Sequence, residues 1–372
     1  MKTIKIILIQ IIFLCTSFYS QAQNYLTWNE IENIKFGQEN IFRTNRDKKN
    51  LEGDYKISET SGAYSEIRFK NGKIDGKYIV YDFEGRIASS STYSNGKIQG
   101  KSTTYFQNGN IASEYYYKDH QPIGKWLDYN KKGEITSTQN YKNGKKDGKW
   151  TRIIRNPAEN TKSTLTEYYK DDQPTGHWEE RLIDGPLKWE KDYSSPVDYM
   201  RKSYYPNGTL AEEKQIKDRR KNGITKQYTQ EGILLNKINY DNDHIVDQEV
   251  YYKNGTLRTK THYKYGRING PYVAYTEEGI KIIEGNHKDT YKDGIWRKFD
   301  EKKGRLIRET TYKNDVKNGL CKHYNKAKNV ALEGNYLNGK KNGIWKYYDL
   351  AGELEKEIEY DKGKQLSEKN YN

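Results

Sequence analysis

Aromatic residues recur along the chain at a nearly fixed interval, separated by polar stretches. Phe69, Tyr93, Tyr117 and Tyr141 are each 24 residues apart, and Tyr312, Tyr336 and Tyr360 keep the same step. Tyr169, Tyr193, Ile216, Tyr240, Tyr263 and His287 continue the series with steps of 23 to 28. A period of this size marks a repeat protein, and twelve repeats start between Phe69 and Tyr336. Counting each from its first ring, position 8 is Gly in ten of twelve, among them Gly76, Gly100, Gly124 and Gly148. Position 10 is Trp126, Trp150, Trp178, Trp296 or Trp345 in five repeats, and position 13 is aromatic in ten.

The period predicts hairpins. Asn71-Gly72, Asn95-Gly96, Asn143-Gly144 and Asn338-Gly339 are dipeptides preferred where both turn residues need positive φ. Aromatic and β-branched residues flank them, and helical i, i+3, i+4, i+7 patterning is absent. Twenty-four residues divide into two strands of about six and two turns. The expected fold is all-β: an elongated single-layer antiparallel β-hairpin meander, on the order of 100 Å long at ~4.8 Å per strand. Position 8 glycine is expected to leave room for a ring of the adjacent hairpin.

Composition agrees with a thin architecture. Only 33% of residues are hydrophobic, yet there are 35 Tyr, 7 Trp and 8 Phe, with 31 Gly and 7 Pro. A disordered chain lacks aromatics, and a thick aliphatic core would need more Leu, Ile and Val. Rings must supply most of the buried area.

The ends differ from the middle. Met1–Gln23 has Lys2 and Lys5 before an apolar run and small residues at Ser20 and Ala22, the pattern of a cleavable signal peptide over 1–22. Export to the periplasm or beyond is therefore expected, with no transmembrane helix left after cleavage. Cys321 would then be the one remaining thiol, unable to form an intramolecular disulfide. Residues 23–52, with Trp28 and Phe36, do not follow the period and are expected to form an N-terminal cap. The array is expected over 53–359 and a C-terminal cap over 360–372. Within the array 151–206 is irregular: an insertion surrounds Pro157, and Met200 replaces the glycine of its repeat. This stretch is either a bend or functional loop, or simply decayed repeats.

No catalytic chemistry is expected. The six histidines sit at scattered phases, without Cys or His at metal-ligand spacing, so no metal and no cofactor is expected. Glu179-Glu180 and Glu212-Glu213 are adjacent along strands and face opposite sides. Cys321 falls where Trp usually stands and reads as a core residue.

Charge offers two readings. The formal net charge is +14. Lys73, Lys97 and Lys145 recur at position 5, and Lys77, Lys101, Lys125 and Lys149 at position 9. They could build a basic stripe that attracts an acidic protein, an anionic glycan or lipid headgroups. Equally, they could keep an exposed sheet soluble and pair with the late glutamates Glu114, Glu309, Glu333 and Glu357. Basic charge with aromatics also suits nucleic acid, but export argues against that partner.

The pattern Y-x-N-G-K-x-x-G-x-W-x-x-Y-x-x-x-G-x-I/L, as in Tyr141–Trp150 and Tyr336–Leu354, resembles the bacterial variant of the MORN repeat. Proteins built from it are commonly labelled YwqK-type antitoxins. The resemblance spans roughly residues 53–365 and implies a β-hairpin array with a binding or scaffolding role. The leading expectation is a non-enzymatic scaffold that binds a protein of the cell envelope. The rivals are a carbohydrate-binding array, which would need uncovered rings, and an immunity protein that occludes a toxin.

Overall fold

The computed structural model describes Asn24–Tyr371 apart from Gln38, so the expected signal peptide lies outside the described residues. The chain divides into two compact units at Lys146/Asp147. Each is built mainly as an antiparallel meander, and from Gly53 onward consecutive strands bond to one another.

The first turn of a regular hairpin holds both of its residues left-handed. Asn71 and Gly72 have φ of 51° and 76°, and Asn338 and Gly339 have 49° and 82°. Hairpins without Asn-Gly reach the same shape with Asp171-Asp172 (47° and 69°) or Asn314-Asp315 (51° and 66°). Asn and Asp tolerate this region because a short polar side chain bonds locally. The mirror-image turn matches the twist of the strands it joins.

Strands are longer than the six residues expected: Lys73–Tyr81 has nine and Ile87–Ser94 has eight. The reason is a bulge. Between the pairs Phe69↔Ile74 and Ile67↔Tyr78, the single residue Arg68 opposes three, Gly76 among them. A bulge lets the strand continue where a turn would end it. The position 8 glycine is therefore required by its backbone, which corrects the expectation that it generally clears room for a ring; Gly270, against the His262 imidazole, is an exception. At Gly100 and Gly343 φ is 71° and 74°, and a Cβ added there would meet nothing within 4 Å. Room for rings comes from two other glycines, Gly285 and Gly334, which lie directly beneath the indoles of Trp296 and Trp345.

In the first unit, Asn24–Thr27 pairs in parallel with Gly53–Ser58, and the antiparallel meander runs onward from there. The hairpin of Ile31–Phe36 and Glu39–Thr44 stands apart as a two-stranded sheet. Trp28, Ile31 and Phe42 from this region pack on a core of Leu51, Ile57, Ile67, Phe69 and Ile74. Leu51 and Ile57 are fully buried, and the Phe42 and Phe69 rings lie 5.4 Å apart.

In the second unit, the insertion around Pro157 lengthens a hairpin and leaves the ladder whole. Gly148–Asn156 pairs with Thr161–Lys170 in unbroken register from Gly148↔Tyr169 to Asn156↔Thr161. Ser194 to Asp198 closes the hairpin of Leu187–Tyr193 and Tyr199–Tyr204. From Leu210–Lys217 the regular repeat resumes and continues to Lys364–Asn370.

Directly opposite residues share a sheet face, so register assigns every side chain. Trp345 pairs with Ile358 on one face, and Lys346 with Glu357 on the other. The first is a ring face and the second a charged face.

Candidate binding surfaces

On the ring face the position 10 tryptophans pack against neighbouring rings, and Trp126, Trp178, Trp296 and Trp345 are tied to backbone carbonyls. Trp126 lies 4.3 Å from the Tyr115 ring, 5.0 Å from Tyr117 and 4.7 Å from Tyr141. Trp178 sits between Tyr169 at 5.1 Å and Tyr193 at 5.0 Å, and Trp150 lies 5.5 Å from Tyr169. Trp296 and Trp345 are 5% and 2% exposed, and their Nε1 groups donate to the Asn286 and Asn335 carbonyls at 3.0 and 3.2 Å. Lysines cover what the rings leave open. The Lys341 ammonium lies 4.4 Å from the Trp345 ring and 4.8 Å from Tyr360, and Lys292 lies 4.6 Å from Trp296. Such contacts are worth about 0.5–2 kcal/mol each. Cys321 is buried in this layer with Thr310 at 3.6 Å.

The opposite face carries a ladder of alternating charge. From Glu284 the register reads Glu284↔Arg297↔Glu309↔Lys322↔Glu333↔Lys346↔Glu357 across seven consecutive strands. Arg297 bonds Glu309 at 2.7 Å and Lys322 bonds Glu333 at 3.0 Å. Tyrosines of position 13 add a third partner: Tyr324 donates to Glu309 at 2.8 Å and Tyr129 to Glu114 at 3.0 Å. Glu249 shows the effect on acidity. Burial alone would raise its pKa, but Tyr251, Lys260 and Lys237 together bring it down to about 2.

The seven lysines singled out from the sequence do not form one set. Lys73, Lys97 and Lys145 each open a strand beside a turn, while Lys77, Lys101, Lys125 and Lys149 lie inside strands or at a second residue. Lys73 is paired with Glu39 at 2.7 Å, Lys101 is paired with Glu114, and Lys149 lies 6.0 Å from the Tyr168 ring. Lys77, Lys97, Lys125 and Lys145 are exposed.

Position 9 changes character along the sequence, a signal the sequence reading missed. Where earlier repeats carry lysine, later ones carry Ile224, Ile295, Leu320 and Ile344, exposed to 43, 46, 44 and 53%. Consecutive members of the last three stand two strands apart, roughly 10 Å, beside the charge ladder. A hollow of about 450 Å³ lies at the head of this row, where Pro271 and Val273 interrupt the charges between Lys260 and Glu284.

The histidines serve the scaffold. His177 bonds Asp192 and His262 bonds Asp247, each at 2.7 Å, and His120 is a left-handed turn residue. Burial lowers the pKa of His287 and His323. Among the described residues no group of three His, Cys, Asp or Glu could hold a metal ion. No helix among them is long and apolar enough to cross a membrane.

These features define a β-hairpin repeat protein in which the repeats of each unit carry a ring face and a charged face. The MORN repeat variant family matches at residues 98–119, 200–218, 221–242, 247–265 and 341–362, so the chain carries MORN-variant repeats. No curated protein matches. Among solved structures, TcdB2-TccC3 without its hypervariable C-terminal region aligns over 86% of this chain at 13% identity, with a TM-score of 0.18. A Tc holotoxin pore of Photorhabdus luminescens aligns over 90% at 11% identity, with a TM-score of 0.14. The chain spans only 18% and 22% of those two chains, respectively.

Proposed function

We propose that the protein is an exported, non-catalytic scaffold that docks a protein of the cell envelope on its charged face. The observation that carries this reading is the row of exposed Ile295, Leu320 and Ile344. Aliphatic side chains on a surface otherwise occupied by paired charges gain from being covered. The neighbouring ladder can supply polar contacts of both signs at the rim of such an interface. MORN repeats in general bind proteins or membranes, which favours the same class of role. Repeated sugar stacking fits less well, because Trp296 and Trp345 are buried beneath lysines.

The test is affinity capture on envelope extract with the wild type and with Ile295→Lys, Leu320→Lys and Ile344→Lys combined. A partner held by the wild type at high salt and lost by the variant, with unchanged circular dichroism, is the expected result. Equal capture by both would overturn the reading.

A further inference from the structure

The ring face of the second unit contains one stretch where cations replace the core. Lys191 pairs in register with Trp178 on one side and Arg201 on the other, and Arg201 pairs with Lys214 on the following strand. Three positive side chains thus stand abreast on one face. Gly285, Gly334 and Ile358 take the place of Lys191 in later repeats.

Like charges directly opposite one another destabilise a sheet. Lys214 is relieved by Glu212 at 2.7 Å. Among the described residues neither Lys191 nor Arg201 has a carboxylate at ion-pair distance, and Arg201 Nε is buried without a hydrogen-bond partner. The nearby carboxylate of Glu167 stands 4.0 Å from Arg152. The Lys191 ammonium rests among rings instead, 4.9 Å from Tyr199, 5.6 Å from Trp189, and 5.9 Å from both Trp178 and Tyr193. Burial and the adjacent Arg201 lower its pKa, and the more distant Glu167 carboxylate offsets this only in part. All four rings are only partly buried.

We propose that Lys191 and Arg201 form a binding site for an acidic saccharide, holding a carboxylate or sulfate group against the wall of Trp178, Tyr193 and Tyr199. An anion there would neutralise both cations, and a guanidinium donates to the oxygens of such a group in a planar fork. The rings select the body that carries the anion. A bare inorganic ion would leave them unused, whereas the apolar C–H face of a sugar ring can lie on them. The site uses the face opposite the aliphatic row, so it stands independently of the protein-docking reading.

Titration calorimetry at low salt tests this with a galacturonic acid hexasaccharide, a sulfated heparin hexasaccharide, neutral maltohexaose, inorganic sulfate and poly-glutamate. At least one acidic saccharide is expected to bind more tightly than the other three probes. Lys191→Gln and Arg201→Gln should each weaken that binding tenfold or more, while Lys77→Gln leaves it unchanged. Absence of binding by both acidic saccharides, or variants that bind as the wild type does, would overturn the proposal. Equal binding of inorganic sulfate or poly-glutamate would overturn the saccharide assignment. Melting supplies a second readout. Without ligand, Arg201→Gln should melt above the wild type because it removes like-charge repulsion. A lower melting temperature would make the cation pair structural and sink the proposal.

Discussion

The Tyr348 hydroxyl donates a 2.9 Å hydrogen bond to Glu333, fifteen residues earlier in the chain. The same carboxylate also holds Lys322. Tyr81 and Glu66, Tyr228 and Glu213, and Tyr324 and Glu309 repeat the relationship at the same separation. In these repeats position 13 is therefore more than a packing ring, because its hydroxyl fixes the glutamate beside the neighbouring strand's cation; at Tyr205 and Tyr252 the hydroxyl instead ties to the Tyr228 and Tyr275 carbonyls. Phe299 lacks the hydroxyl, and Glu284 is held there by Lys281 at 2.8 Å instead.

Tyr348→Phe should keep the ring and lose the bond. A hydrogen bond to a charged group is worth about 1.5–3 kcal/mol when well buried, and partial exposure brings the expected loss nearer 1 kcal/mol. Denaturant titration of the variant against the wild type measures it, and no change would reduce the bond to decoration.

Acid should weaken the ladder progressively. Glu249 has its folded pKa depressed from 4.5 to about 2, and Glu309 and Glu333 are lowered too. For a depressed carboxylate the stabilisation is present above the unfolded pKa and is lost as pH falls through the folded one. Melting temperature should therefore fall as pH drops from about 4.5 toward about 2, and Glu249→Gln should flatten that slope.

Two glycines should fail for different reasons. At Gly334 an added methyl would collide with the Trp345 indole, so Gly334→Ala should cost about 1–3 kcal/mol by overpacking. At Gly343 the space is open and φ is 74°, so Gly343→Ala should cost about 1–2 kcal/mol through the backbone alone. Near-ultraviolet circular dichroism separates them: the Trp345 signal should change in the first variant and persist in the second.

The repeat and its turns were legible because they are local. Asn71-Gly72 announces its own φ values, and alternation over a few residues announces a strand. The bulge was not legible, since a glycine such as Gly76 reads alike whether it serves space or backbone. Pairing with Glu114 was one of the two readings of the lysines, but its geometry needed the register: Lys101 stands opposite Tyr116 and reaches Glu114 diagonally. The choice between a basic stripe and paired lysines needed the same register, which shows Lys73 and Lys101 already paired with Glu39 and Glu114. The Lys191–Arg201 pair falls where the spacing drifts, so counting positions could not bring the two together.

Because each strand of the second unit bonds only to its sequence neighbours, tension on the chain ends would meet these ladders one at a time. Antiparallel hairpins pulled from their open end part bond by bond, like a zipper, without shearing all bonds at once. Each 24-residue repeat would release about 80 Å of slack at ~3.4 Å per residue. A pulling experiment should show a train of small, evenly spaced extensions at low force. In mechanical terms the meander is a spring that gives way link by link.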